Sequence, residues 1–162
     1  MAPVTVMEIS ADSPSAADVR ALLRQHLEFA RATTPPEGVY ALDVAGLLDP
    51  AVTLFSLRRA GELIAVGALR EIDARHGEVK SMHTAAAARG RGAGRAMLDH
   101  IIGVAAARGY ERLSLETGSM AAFAPARALY ARAGFTPCGS FGGYPASPTS
   151  AFMTLALGGR QT

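Results

Sequence analysis

The order of apolar runs predicts an α/β fold, a mixed and mostly antiparallel twisted sheet with flanking helices. Three observations carry that expectation. Two strand-like runs, 51–59 and 62–72, meet at Ala60-Gly61 as the arms of a hairpin do. Met97, Leu98, Ile101, Ile102 and Ala105 recur at helical spacing. Strand-like runs at 78–84 and 111–117 bracket that helix, and a strand–helix–strand unit of this length joins parallel strands.

The remaining elements follow in order. Residues 4–9 are apolar and partly β-branched and predict a first strand. Ser13-Pro14 offers a helix start, with Ser13 as the cap and Pro14 in the first turn. Val19, Leu22, Leu23, Leu27 and Ala30 form the stripe of that helix, and His26 on the same stripe is read as a histidine at the core edge. Pro35-Pro36 ends it, and the stretch to Pro50 is expected to hold a short helix and loops. In the strand 78–84, Glu78, Lys80, Met82 and Thr84 are expected on one face, with Val79, Ser81 and His83 on the other. Residues 85–88 are assigned to a loop. A helix spans 92–108 and stops at Gly109, and a second spans 125–133 and stops at Gly134. Strands 135–138 and 150–157 close the fold around a Gly/Pro/Ser-rich loop, and 158–162 read as a loose tail. No repeat or linker divides the 162 residues, so 1–162 is expected to be one domain.

Composition narrows the function classes. Hydrophobic residues make up 49% and charged residues 19%, the balance of a folded chain. Aromatics are 6%, without tryptophan, and the net charge is only +2. Nucleic-acid binding, which interleaves a basic stripe with exposed aromatics, is therefore not expected. The single cysteine, Cys138, excludes an internal disulfide. The N-terminus lacks the basic start and apolar run of a signal peptide, and no apolar run is long enough to span a bilayer. A cytoplasmic protein without membrane contact is the expectation. His26, His76, His83 and His100 lack metal-ligand spacing, so no metal is expected.

The chemistry concentrates in Arg89-Gly90-Arg91-Gly92-Ala93-Gly94-Arg95, between a strand and a helix. Glycines allow positive φ and close backbone approach, and a helix N-terminus presents unpaired N–H groups to an anion. Arginines add charge-assisted hydrogen bonds. A pyrophosphate fits such a site. The dinucleotide pattern fails, because Arg95 stands at the third glycine position, and no glycine precedes the Lys-Ser or Lys-Thr of a nucleotide-triphosphate loop.

The pattern Arg89, Gly92, Gly94 resembles the coenzyme A loop of the GNAT N-acetyltransferases. Leu115-Glu116-Thr117-Gly118-Ser119, Pro125-Ala126-Arg127-Ala128-Leu129-Tyr130 and Gly134-Phe135 are similar to the same family, over roughly residues 51–157. Glu78–Thr84 and Ser150–Met153 resemble a bacterial branch of small YsnE-like acetyltransferases. Ala86 stands where many members carry proline, and Phe123 where many carry a cofactor-contacting asparagine.

The resemblance implies acetyl-CoA as co-substrate and a parallel strand pair that splays to admit its acyl arm. It places the arm against Met82, His83 and Thr84, and the pyrophosphate on the amides of Arg89, Gly90, Arg91, Gly92, Ala93, Gly94 and Arg95, with Phe123 and Arg127 near the cofactor. The family's general-base glutamate lands on Glu78 and its tyrosine acid on Tyr130. A carboxylate that deprotonates an attacking amine needs no acyl-enzyme, and no G-x-S-x-G elbow is present. His83 is the rival base. Glu116, Lys80, Phe141 and Tyr144 are candidate acceptor contacts, with Arg70 beside Lys80 as a second carboxylate-binding cation. The acceptor implied is a small amine or amino acid, with a protein amino group second; a non-catalytic acyl-CoA sensor is the alternative. Strand pairing in the family leaves room for a homodimer.

Overall fold

In the computed structural model, residues 6–158 are described. Seven strands form one sheet in the order β1-β2-β3-β4-β5-β7-β6. They are β1 (Met7–Ala11), β2 (Val52–Arg59), β3 (Glu62–Asp73), β4 (His76–Thr84), β5 (Arg112–Gly118), β6 (Thr136–Pro137) and β7 (Ser150–Ala156). Among the described residues only β4 and β5 pair in parallel, as suits their connection through α3 (Ala93–Ala107). The other helices are α1 (Ala17–Thr33), α2 (Val44–Leu47) and α4 (Ala124–Arg132). The single-domain α/β fold expected from the sequence is therefore present. Positions 4–5 of the predicted first strand and 159–162 of the predicted tail lie outside the described residues.

The hairpin turn forms where predicted. Ala60 and Gly61 both have positive φ, 53° and 82°, the twist a two-residue hairpin needs. Helix α1 starts later than expected. Ser13 and Pro14 stay in a turn, Ala16 occupies the cap position without a side-chain bond, and the helix begins at Ala17. Arg58 on β2 spans this entry, tying Asp12 before the turn (3.2 Å) and Asp18 in the first helical turn (2.7 Å) to one guanidinium.

Two apolar layers sandwich the sheet. On one face Met97, Leu98 and Ile101 of α3 and Tyr130 of α4 pack on Leu69, Val79, Leu113 and Leu115. On the other, Val19, Leu22 and Leu23 of α1 pack on Leu54, Val66 and Ala68. A leucine buried in this way contributes about 1.5–3 kcal/mol. No described helix is long and apolar enough to cross a membrane.

The simple alternation predicted for β4 does not hold. Lys80 lies opposite Ala68 and His83 opposite Val66, so two residues of β4 oppose the single Gly67. Ser81 takes up the extra residue at a φ of 56°. This bulge rephases the strand. Met82 turns to the α3 face, where its sulfur approaches Gly67 beside Met97 and Ile101. His83 turns to the α1 face, which it shares with Glu78 and Lys80 through the register with Val66, Ala68 and Arg70. Met82 and Thr84 are thus separated from Glu78.

Candidate active site

The parallel ladder of β4 and β5 ends at the pair Val79–Leu115. Beyond it the strands part, with Lys80, Ser81 and Met82 on one side and Glu116, Thr117 and Gly118 on the other, and all six line a cleft of about 610 Å³. The splay expected by resemblance is therefore built into the backbone. The cleft continues to Gly92, Ala93 and Gly94 at the start of α3.

That end has the backbone and charge that an anion requires. Gly92 caps α3 in the left-handed conformation, φ 86°, and no side chain caps the helix. Gly90 also has positive φ, 79°, a conformation open to glycine and rare for residues with a Cβ. The first-turn amides of α3 remain open, and the helix dipole favours negative charge there. Arg89 and Arg95 line the cleft, whereas Arg91 lies outside its wall. Arg89 donates to the Thr84 carbonyl at 3.2 Å, and Arg95 pairs with Asp99 at 2.9 Å.

The middle of the cleft is walled by Met82, Thr84, Phe123 and Tyr130. Tyr130 is 6% exposed, and burial holds its phenol well above the ordinary tyrosine range, so it is a protonated donor at any working pH. Phe123 packs edge-on against Phe29 of α1, ring centres 5.3 Å apart. Arg127 is not in the wall. It donates to the carbonyls of Gly118 (2.6 Å) and Met120 (3.0 Å) and so fixes the turn between β5 and α4.

On the α1 side the wall holds His26, Tyr40, Lys80, His83 and Glu116. His26, expected at the core edge, lines the cleft instead and shares a hydrogen bond with His83, Nδ1 to Nδ1 at 3.3 Å. Burial, with the charge of Lys80 and the neighbouring His83, lowers His26 to about 4; burial and Arg89 lower His83 to about 4. Neither histidine advertises this partnership in the sequence, since they stand fifty-seven residues apart. Glu116 is partly buried, and burial raises its carboxyl above the usual range.

Glu78 lies behind this wall, 1% exposed. Its carboxylate accepts from Arg70 (3.1 Å), Lys80 (3.4 Å) and the Tyr144 hydroxyl (2.5 Å). Lys80 also donates to Tyr144 (2.7 Å) and to the Tyr40 carbonyl (3.4 Å). Phe141 and Tyr144, expected at the acceptor entrance, stack with Phe152 as a backing for Lys80 rather than in the cleft wall. Among the described residues, no three His, Cys, Asp or Glu side chains gather to hold a metal.

This geometry agrees with the comparisons. The sequence profile of the Acetyltransferase (GNAT) family matches residues 17–135. The chain belongs to the GNAT family. It is an acetyl-CoA-dependent N-acetyltransferase. Among its GNAT relatives, the uncharacterised N-acetyltransferase YsnE of Bacillus subtilis (strain 168) is 46% identical over 93% of this chain and 100% of its own. A protein of Azospirillum brasilense named IAA acetyltransferase is 37% identical over 76% of this chain and 80% of its own. A solved GNAT acetyltransferase of Elizabethkingia anophelis with acetyl-CoA bound shares the fold, with a TM-score of 0.69, 19% identity, and 93% and 98% of the two chains covered.

Proposed function

We propose that this enzyme moves the acetyl group of acetyl-CoA to a primary amine of a small molecule or amino acid, by direct attack. The observation that carries the reading is the continuous cleft, which joins the open N-terminus of α3 to the β4–β5 splay and emerges on the α1 face. The loop amides and Arg89 suit the pyrophosphate, and the splay suits the acyl arm, beside Met82 and Thr84. The acceptor enters from the α1 side, past Tyr40, His26 and Lys80. An acetyltransferase relative named for IAA supports a small acceptor.

As the amine nitrogen bonds to the thioester carbonyl carbon, the C–S bond breaks and the thiolate takes the phenolic proton of Tyr130. Tyr130 suits that role because it lines the cleft with its proton held firmly. The amine's own proton goes to a carboxylate on the α1 face of the splay. Glu78, the base suggested by resemblance, is tethered by two cations and a phenol and suits a positioning role, fixing Lys80 and Tyr144 behind the acceptor.

Calorimetric titration of acetyl-CoA into wild type and an Arg89→Ala/Arg95→Ala variant, followed by thiol release with a panel of amines and amino acids, tests the reading. Binding that the variant weakens and amine-dependent thiol release are expected. Binding without turnover of any amine would replace it with a sensing role.

A further inference from the structure

We infer that Glu116, on β5, is the general base of the transfer. The inference rests on the acetyltransfer reading above and adds to it the identity of the proton acceptor.

Position comes first. Leu115 is the last residue of β5 paired to β4, and Glu116 is the first beyond it, where the strands part. Side chains alternate along a strand, and Ser114 lies opposite Glu78 on the α1 face, so Glu116 points to that face too. It lines the cleft, at the point where an acceptor arriving from the α1 side meets an acyl group in the splay.

Freedom comes second. Among the described residues Glu116 makes no salt bridge, while Glu78 makes two. Lys80 is the cation that reaches Glu116 electrostatically, yet its three ammonium donors are spent on Glu78, Tyr144 and the Tyr40 carbonyl. Glu78 thus keeps Lys80 from clamping Glu116. Glu78 is already engaged by its partners, whereas a carboxylate left free in a partly dry cleft gains basicity. The groups that face Glu116 are Lys80 and Glu78 on β4, the Ser150 hydroxyl on β7 and the Tyr144 phenol. Burial outweighs the lowering by Ser150 and Lys80, which leaves the carboxyl more basic than an ordinary glutamate.

The proton balance closes. An entering ammonium gives one proton to Glu116, which releases it to water. The neutral amine attacks, the C–N bond forms and the C–S bond breaks. The nitrogen's remaining surplus proton passes to Glu116, and that of Tyr130 passes to the thiolate. Exchange with water restores both side chains, and one proton is released per turnover.

The test compares wild type, Glu116→Gln and Glu78→Gln on aliphatic primary amines, which are protonated at neutral pH, and on O-methylhydroxylamine, which is neutral there. Glu116→Gln is expected to lower kcat/KM for the aliphatic amines by about 10²–10³-fold. It should lower that for O-methylhydroxylamine far less, leave acetyl-CoA binding intact, and abolish the acid limb of the pH–rate profile. Glu78→Gln frees Lys80 to pair with Glu116, so it should keep an acid limb but move it to lower pH. An equal loss on both amine classes, or an acid limb that survives in Glu116→Gln and vanishes in Glu78→Gln, overturns the assignment while the acetyltransferase reading stands. Failure of wild type on every amine overturns that reading itself.

Discussion

The Nδ1 atoms of His26 and His83 lie 3.3 Å apart, so the two imidazoles share one hydrogen across the gap between α1 and β4. One ring must donate and the other accept, which requires that at least one be neutral. Burial keeps both neutral well below the ordinary histidine range, at about 4 against 6.5. The unfolded chain therefore binds more protons than the fold between these values. Stability contributed by the pair is complete above about pH 6.5 and is lost as pH falls toward 4, on the order of 3 kcal/mol for the first proton. Thermal unfolding of wild type from pH 7 to 4 should show this slope, and His26→Asn/His83→Asn should flatten it.

The glycine-and-arginine loop makes a separable prediction. Gly92 sits at φ 86° with open space around it, so Gly92→Ala meets no neighbour and pays only for its backbone. The left-handed conformation costs an L-residue about 1–2 kcal/mol. The loop amides should swing away from the anion site, and acetyl-CoA affinity measured by calorimetry should fall about 10-fold, with the unfolding temperature only slightly lowered.

Tyr130→Phe removes a hydroxyl whose proton is held by burial alone. A role in protonating the thiolate predicts a fall in kcat of about 10²-fold. Stability and acetyl-CoA affinity should stay near wild type, because no structural hydrogen bond is lost. Single-turnover kinetics beside calorimetry separates these effects.

Glu78→Gln acts on the fold first. It leaves Lys80, 8% exposed, and Arg70 without their carboxylate. Removing one partner of a buried ion pair costs about 3–5 kcal/mol, so chemical denaturation should show a loss of that order. The KM for the acceptor should rise as Lys80 and Tyr144 lose their anchor.

Gly118→Ala probes the wall of the cleft. A Cβ there would collide with the Phe123 ring, which must move. Overpacking of this kind costs about 1–3 kcal/mol. Phe123 should be driven from Phe29 into the cleft, and acetyl-CoA affinity should drop more than stability does.

Much of this was legible in the sequence because it is local. Positive φ at Gly90 and Gly92, the stripe of α3 and the Ala60-Gly61 turn are each written within a few residues. The parallel pairing of β4 and β5 follows from the helix between them. The site's polar partners are not local. The His26–His83 bond and the Lys80–Tyr144 bond join positions far apart in the chain. The bulge at Ser81 carries no marker, since a serine at positive φ is held there by the sheet rather than chosen by propensity. That one residue misdirected the faces of Met82, His83 and Thr84. Phe141 and Tyr144 read as entrance residues because they sit in a loop, but their rings had Phe152 and His76 to bury against.

The bulge at Ser81 also divides labour along β4. Glu78, Lys80 and His83 look toward the α1 face, the acceptor side in the proposed reading, while Met82 and Thr84 look toward the α3 face, the donor side in that reading. No side chain of this run serves both. Sequence change at position 83 can therefore alter which amine is welcomed while the donor's berth is left intact, and change at 82 or 84 can retune the donor without disturbing the guest. The extra residue lets one strand evolve as two.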